Sequence, residues 1–154
     1  MSLSKRGSTL LVDLGETQDW LSDILDREEG NGAEIPGLAD LRAGRAAYGE
    51  VIQRDLSSTL DVIPSGGEVS AEGLADIFAA LASAYSFVIL HASDWRAATA
   101  RAGAEAADVV VAAAPEARLP RAVEDAGAAL GDACSQILAF AEKRPRPVRD
   151  EETV

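Results

Sequence analysis

Cysteine, histidine and aromatic residues are scarce in this chain of 154 residues. It contains one cysteine, one histidine and only 5% aromatic residues. A single cysteine excludes a disulfide within the chain, and Cys134 has no CxxC motif or histidine cluster near it that would indicate a metal site. We therefore expect Cys134 to be a small core residue of a protein in a reducing compartment.

Basic residues are also few in this chain. Lysine and arginine total 14 against 26 aspartates and glutamates, which gives a formal net charge of -12. A surface of this sign repels the phosphate backbone of nucleic acids. We therefore expect no nucleic-acid partner.

Long apolar runs are missing as well. The most continuous one, residues 79–92, is interrupted by Ser83 and Ser86 and is shorter than the roughly 20 residues that span a bilayer. The first residues lack the apolar region of a signal peptide. We expect a cytoplasmic protein with no direct membrane span, and a position at the inner face of the membrane is compatible with this expectation.

The chain does contain enough apolar sequence for a folded domain. Hydrophobic residues make up 47% of it, and we predict a single domain over residues 1–142. The remaining residues, 143–154, are rich in charge and in spaced prolines, and they are predicted to form a disordered tail.

Apolar runs that end at turn residues alternate along the chain with helical patterns. The runs predict strands at residues 8–12, 59–63, 86–90, 108–112 and 135–140, of which the last is also compatible with a helix. The helical patterns begin at Thr17, follow Pro36 and Gly44 as two short turns, and cover residues 70–85, 95–106 and 117–130, with Ser70 as a predicted cap. This alternation predicts an α/β fold of three layers with a mainly parallel sheet.

Ligands of such folds bind beyond the carboxyl ends of the strands. We therefore expect any site in the loops that follow Val12, Ile63, Leu90 and Ala112. Two of these strand ends are followed directly by a polar residue, namely Asp13 and His91.

Four segments of the chain resemble one known family. They are STLLVDLG, GLADLRAGRAAYGEVIQRD, LDVIPSGG and SFVIL. Together they resemble the cytoplasmic P-loop ATPase domain of bacterial exopolysaccharide co-polymerases and bacterial tyrosine kinases, which are relatives of MinD and ParA. The resemblance covers residues 8–114 and is most specific over residues 37–67, where the motifs are similar to those of succinoglycan-type transport proteins. It implies membrane proteins of polysaccharide biosynthesis or export as partners.

The family holds Mg-ATP with a glycine-rich loop that ends in Gly-Lys-Ser/Thr, and this sequence has no such loop. Residues 5–9, Lys-Arg-Gly-Ser-Thr, have the right residue types in the wrong order, and Gly66-Gly67 is followed by Glu68, whose charge would repel a phosphate. In the family this loop lies upstream of the strand that residues 8–12 resemble. We therefore expect no cofactor for this chain alone, and Mg-ATP only where an upstream phosphate loop is supplied.

Two acidic motifs of the family are altered here. One is a strand that ends in Asp-x-Asp, of which Asp13 matches the first carboxylate while Gly15 stands in place of the second. The other is a strand that ends in an aspartate orienting the water shell of magnesium. His91 stands there instead, and a neutral imidazole is a poor magnesium ligand. The tyrosine-rich tail of the kinases is missing too, since Tyr48 and Tyr85 lie within the predicted folded part.

Asp13 is the one candidate cofactor-binding residue, as a relic of the second acidic motif. An aspartate that ends a buried strand more commonly caps the following turn, and this structural role is the preferred interpretation. His91 is interpreted as a hydrogen-bonded, partly buried histidine, and Ser93 and Asp94 are too close to it in sequence to complete a catalytic triad. We predict no catalytic residue and no metal ligand.

The sequence thus favours a catalytically degenerate P-loop ATPase-like domain of exopolysaccharide biosynthesis or export that acts through protein contacts, with a homodimer as a further partner arrangement. We expect no enzymatic activity from this chain alone. Two alternatives stay open. One is the downstream part of an active ATP-binding tyrosine kinase or MinD/ParA-type ATPase, and the other is an unrelated α/β domain that binds a small molecule.

In the family, the strand that leads into the phosphate loop lies beside the strand that SFVIL resembles. Without that strand, buried backbone groups would lose their hydrogen-bond partners. We expect the sheet to close within the chain, either by pairing of the flanking strands or by insertion of residues 134–141. Homodimerisation through an open edge would be a secondary consequence.

Overall fold

The computed structural model describes residues 7–15, 35–55 and 57–143. The chain divides into two compact units, residues 1–107 and 108–154. Both are α/β with mainly parallel strand pairing, which confirms the predicted fold class. The helix predicted from Thr17 and all of the predicted tail except Lys143 lie outside the described residues, and the single domain stays a prediction.

The first unit contains a four-stranded sheet in the order β2-β3-β1-β4. The strands are β1 (Thr9–Asp13), β2 (Gln53–Arg54), β3 (Leu60–Ile63) and β4 (Phe87–His91). β1 pairs in parallel with both β3 and β4, so that Val12 lies beside Ile63 on one side and Leu90 on the other. The three strands predicted for this unit are confirmed to within one residue at each end.

β2 is an addition that the sequence pattern does not predict, because two residues are too few to show a periodicity. It pairs antiparallel with β3, with Gln53 beside Val62 and Arg54 beside Asp61. An ion pair between Arg54 Nε and Asp61 Oδ1, 3.4 Å apart, accompanies this pairing. The parallel sheet therefore has one short antiparallel edge strand.

Four helices belong to the described part of the first unit. They are α1 (Leu38–Arg42), α2 (Tyr48–Val51), α3 (Leu74–Ala84) and α4 (Ala98–Ala106). α1 and α2 are the two predicted short turns. α3 begins four residues later than predicted, and the predicted cap by Ser70 is wrong. Gly73 precedes α3 with a left-handed φ of 80°, which separates Ser70 from the helix.

The core of the first unit is built around β1. Leu10 and Val12 are fully buried, and Ile63 of β3 and Leu38 of α1 are fully buried in the same cluster. α3 contributes the apolar stripe that its helical spacing predicts, through the buried side chains of Leu74, Phe78 and Leu81. Burial of these side chains supplies the main stabilisation of the unit.

Residues 37–67 contain a close backbone contact between Gly37, at the start of α1, and the loop after β3. Leu38 N donates to Pro64 O (2.8 Å), and Ala39 N donates to Ser65 O (2.9 Å). Gly37 N in turn donates to Asp40 Oδ2 (2.9 Å). The first amides of α1, which have no partner within the helix, are therefore satisfied by the neighbouring loop and by Asp40.

β4 pairs with β1 only, and no other strand of the described ranges pairs with its second edge. Closure of the sheet beside this strand, as expected from the sequence, is therefore not observed. Within residues 134–141, the segment predicted to insert there, the strand that forms is paired with Val110–Pro115 in the second unit. Ile89 in the middle of β4 is 40% exposed although it lies in the most apolar run of the chain.

The second unit contains a two-stranded parallel sheet and one helix. β5 (Val110–Pro115) pairs with β6 (Ile137–Glu142), and α5 (Leu119–Leu130) connects them after a short 3-10 turn at Glu116–Arg118. The ambiguous last run is therefore a strand, as preferred. β5 extends three residues beyond its predicted end because Ala113, Ala114 and Pro115 continue the pairing with β6.

Residues on one face of this small sheet are buried together with residues of α5, as Val110, Ala112 and Leu130 illustrate. The side chains that point the other way are exposed, including Val111 and Phe140. Cys134 is half-buried rather than a core residue, and its Sγ donates to Leu130 O at 3.3 Å. None of the helices in the described ranges is long and apolar enough to cross a membrane.

A substitution at Gly37 tests the close contact between α1 and the loop after β3. A Cβ atom at Gly37 would lie 2.4 Å from both Gly66 N and Pro64 O, which are backbone atoms. We expect Gly37→Ala to lower the free energy of unfolding by about 1–3 kcal/mol, as overpacking does. Urea unfolding followed by tryptophan fluorescence measures this change.

Gly49→Ala is the matched control, because Gly49 lies in α2 and a Cβ there meets nothing within 4 Å. Removing a helical glycine should raise the free energy of unfolding by up to about 1 kcal/mol. Equal effects of the two substitutions would contradict the close contact.

Candidate functional site

The carboxyl ends of β1, β3 and β4 lie at one edge of the sheet, because the three strands run in parallel. Asp13 and His91 are direct neighbours in the register of β1 and β4. Leu14 N donates to His91 O (2.8 Å), which continues the pairing one residue beyond the strands. The two polar residues that the sequence places at strand ends are therefore brought together.

Asp13 is fully buried. Its Oδ1 accepts a hydrogen bond from Gly15 N (2.9 Å), so the predicted turn-capping role is present in the structure. Its Oδ2 is buried and has no hydrogen-bond partner in the described part of the protein. Burial raises the pKa of the Asp13 carboxyl, and the Gly15 amide and His91 partly oppose that rise.

His91 lies beside Asp13, with 3.6 Å between His91 Nδ1 and Asp13 Oδ1. The imidazole is 44% exposed, which is more open than the partly buried residue expected. The carboxylate of Asp13, which is distant in sequence, is therefore a neighbour of this imidazole. A protonated His91 would interact favourably with ionised Asp13.

A cleft of about 340 Å³ lies at this edge of the sheet. Three of the four loops predicted from strand ends contribute to it, through Gly15, Val69 and Ser93 among others. The fourth, after β5, belongs to the second unit. The first turn of α4 completes the lining with Ala98 and Thr99.

Side-chain contacts hold α4 close to the end of β1. Thr99 Oγ1 donates to Leu14 O (3.4 Å). Gly103 allows close packing, since a Cβ there would lie 3.1 Å from Leu14 Cδ1 and 3.3 Å from Leu90 Cδ1. The position of α4, and with it one wall of the cleft, therefore depends on two small contacts with the strand ends.

The charged residues that line the cleft are both acidic. Glu68 comes from the loop after β3 and Asp94 from the loop after β4, and both residues are exposed. No lysine or arginine is among the lining residues of the described chain. The Asp94 carboxylate also accepts a hydrogen bond from Arg96 N (3.0 Å). A phosphate would meet like charge here without the cation that phosphate sites normally provide.

Ser65 is a buried polar residue that the sequence reasoning missed. It is fully buried, and its Oγ has no hydrogen-bond partner within the described ranges. The sequence signal that could have identified Ser65 is its position in the Pro-Ser-Gly-Gly turn directly after β3. Trp95, at the predicted start of a helix, is only half-buried in the turn that precedes α4.

In the described part of the chain, no three His, Cys, Asp or Glu side chains converge as ligands of a metal ion. Asp13 offers one carboxylate oxygen without a partner, and that oxygen is buried. The residues present therefore supply a negatively charged edge rather than a coordination shell.

No protein-family model and no curated protein sequence matches the chain. Solved structures do. The kinase domain of VpsO is similar with a TM-score of 0.63 and 14% identity, over 92% of this chain and 73% of that domain. MinD from Pyrococcus horikoshii, complexed with Mg-ADP, is similar with a TM-score of 0.71 and 20% identity, over 96% of this chain and 63% of MinD.

The kinase domain of the Escherichia coli tyrosine kinase ETK is similar with a TM-score of 0.66 and 12% identity, over 94% of this chain and 60% of that domain. At these identities the likeness shows the fold, and the chain has the P-loop NTPase-type fold of these proteins. It spans less than two thirds of the length of MinD and of the ETK domain.

The raised pKa of Asp13 predicts how stability depends on pH. A carboxyl with a raised folded-state pKa binds its proton more tightly in the folded state, so stability is lost as the pH rises from the ordinary value of 3.8 through the folded-state pKa. We expect the parent to lose stability relative to Asp13→Asn over this interval. Urea unfolding across a pH series measures the difference.

Asp40→Asn is the control of opposite sign. The hydrogen bond from Gly37 N holds the pKa of Asp40 below its usual value, so its contribution is lost as the pH falls. The same pH trend for both variants would contradict the assignment of a desolvated carboxylate at Asp13.

Proposed function

We propose that this chain is a catalytically degenerate P-loop ATPase-like domain that acts through protein contacts in exopolysaccharide biosynthesis or export. Membrane proteins of that process would be its partners, at the inner face of the membrane. A homodimer is a further arrangement within this proposal. The observation that carries the proposed loss of catalysis is the lining of the cleft at the strand ends, whose described residues include Glu68 and Asp94 and no lysine or arginine.

Phosphoryl transfer depends on positioning and on positive charge around the transferred phosphate. Among the described residues that line this cleft, the charged ones are Glu68 and Asp94, and the buried Asp13 lies two residues before the lining residue Gly15. The sequence contains only two lysines, Lys5 and Lys143, and neither belongs to a Gly-Lys-Ser/Thr motif. These features support a domain that keeps the fold without the phosphate cradle.

The connection with polysaccharide export is supported by the sequence motifs and by the backbone contact that they form. Residues 37–67 carry the resemblance to succinoglycan-type transport proteins, and Gly37 and Gly66 from this stretch meet in the structure. The likeness to the kinase domains of VpsO and ETK is in line with the same family.

An alternative is that the chain is the downstream part of an active tyrosine kinase or MinD/ParA-type ATPase. The relative chain lengths support this alternative, because this chain spans only 60% of the ETK domain and 63% of MinD. A Gly-Lys-Ser/Thr loop encoded upstream of Met1 would support this alternative, and Asp13 would then be its candidate cofactor-binding residue.

We expect isothermal titration calorimetry of this chain with Mg-ATP to show no saturable binding in the micromolar range. The reason is that phosphates would approach Glu68 and Asp94 without a compensating lysine. An intact MinD-type ATPase titrated under the same conditions is the positive control. Micromolar affinity of this chain would contradict the proposal.

His91→Asp extends the same test, because it restores the residue type of the family's third motif. The variant should show no magnesium-dependent ATP hydrolysis above the parent, since the phosphate cradle is still absent. Appreciable hydrolysis would show that the chain contains a nucleotide site.

Deleting the coding sequence in its host should lower the amount of exported polysaccharide per cell, and the parent chain should restore it. Because no turnover is involved, His91→Asp should restore export as well as the parent does. Carbohydrate assay of the culture supernatant measures the yield. An unchanged yield after deletion would refute the role in polysaccharide export.

A further inference from the structure

We propose that the exposed face of the β5–β6 sheet is the surface on which two copies of this chain associate. The inference rests on the proposed function, since it locates the homodimer named there. Parallel sheets are normally covered on both faces. α5 packs on one face of this sheet, where Val110 and Ala112 are buried. On the other face Val111 is 51% exposed, Leu138 45% and Phe140 59%.

The exposed side chains of this face form one continuous apolar patch. The register of the two strands places Val111 beside Leu138 and Ala113 beside Phe140, and all four residues are exposed. Val109, directly before β5, is exposed as well. Apolar residues that are exposed together, and not scattered singly, mark an interaction site. Two sheets can pack face to face through side chains of this kind.

The polar residues of the same face lie at its two ends. Strand alternation assigns Gln136, directly before β6, to one end and Glu142 to the other, and both residues are exposed. A two-fold axis across the strands would place each Gln136 amide against Glu142 of the second copy, where the amide donates and the carboxylate accepts. The same axis would place Leu138 of one copy on Phe140 of the other. The face is therefore complementary to itself.

The position of the charge decides between the two orientations in which such faces can pair. Among the described residues that alternation assigns to this face, Glu142 is the only charged one. If the strands of the two copies ran in parallel, the two Glu142 carboxylates would meet and repel each other. With antiparallel strands they lie at opposite ends of the interface. The antiparallel arrangement is therefore the one that the charge favours.

The charge of the whole chain also favours the second unit as the place where copies meet. Residues 108–154 contain nine acidic and six basic residues, so this unit accounts for only -3 of the formal net charge of -12. Like charge on the two copies opposes their approach. This opposition is weaker between two second units than between two first units, which hold the larger part of the negative charge.

The small size of the patch implies weak association. A stable interface buries about 800 Å² on each partner. Two strands of six residues each, about 20 Å long, offer less than this area. We therefore expect a dissociation constant on the order of 100 μM.

Sedimentation velocity of the full chain, at concentrations from about 10 μM to about 1 mM, tests this surface. The parent should pass from monomer to dimer over this range. Leu138→Thr should raise the dissociation constant by about tenfold, because the substitution removes apolar contact twice in a two-fold dimer. Threonine is a good strand residue and position 138 is exposed, so the variant should fold, which far-UV circular dichroism checks.

Ile89→Thr is the matched control, because Ile89 is 40% exposed on β4 of the first unit and is also a strand residue. It should leave the dissociation constant unchanged. A loss of dimer with Ile89→Thr, or a dimer that Leu138→Thr does not weaken, would place the interface elsewhere and overturn the inference. A parent that stays monomeric up to about 1 mM would overturn it too.

Two substitutions at Gln136 test the antiparallel arrangement. Gln136→Glu would face Glu142 of the second copy with a like charge, and it should weaken the dimer by about threefold at low salt. Gln136→Lys would face the same carboxylate with an opposite charge and should strengthen the dimer by a similar factor. Both effects should fade at high salt. Changes in the same direction would contradict this arrangement.

The outcome is distinguishable from failure of the proposed function. A monomeric chain that binds no Mg-ATP and restores export would overturn the surface alone. Micromolar binding of Mg-ATP would refute the proposed function, whereas the sedimentation of the parent and of the Leu138 and Gln136 variants would still decide whether this face associates.

Discussion

The first unit depends on β1 being hydrogen-bonded on both sides. Because β3 and β4 both run parallel to it, their carboxyl ends and the loops after them meet at one edge of the sheet. The same arrangement buries Leu10 and Val12 at the centre of the core. The cleft, the Asp13–His91 pair and the position of α4 all follow from this one strand.

A central strand that ends in an ionisable residue creates an electrostatic problem. Asp13 is the last residue of β1 and is fully buried, yet one of its oxygens has no partner among the described residues. Buried carboxylates are normally paired, and Asp13 is compensated through Oδ1 only, by Gly15 N and the neighbouring His91. Among the described residues, the lining of the neighbouring cleft adds Glu68 and Asp94 and no lysine or arginine. This lining is therefore unsuited to phosphate.

The fold of this chain and the side chains at its cleft lead to different conclusions about phosphate binding. Its likeness to MinD and to two kinase domains shows a P-loop NTPase-type fold. The described residues that line the cleft at the strand ends, however, include none of the basic groups with which such folds bind phosphates. A fold can host unrelated functions, and the function has to be argued from the side chains at the site.

The sequence by itself determined the parallel strands, because apolar runs ending at Asp13, Pro64 and His91 are local signals. It also determined where the cleft lies, since three of the four loops predicted from the strand ends line it. Only the tertiary structure decided that residues 137–142 pair with β5 and that β1 lies between β3 and β4, because strand partners are distant in sequence and periodicity carries no information about pairing. Tertiary packing likewise decided that Asp13 Oδ2 is buried without a hydrogen-bond partner among the described residues, because burial depends on side chains from several loops at once.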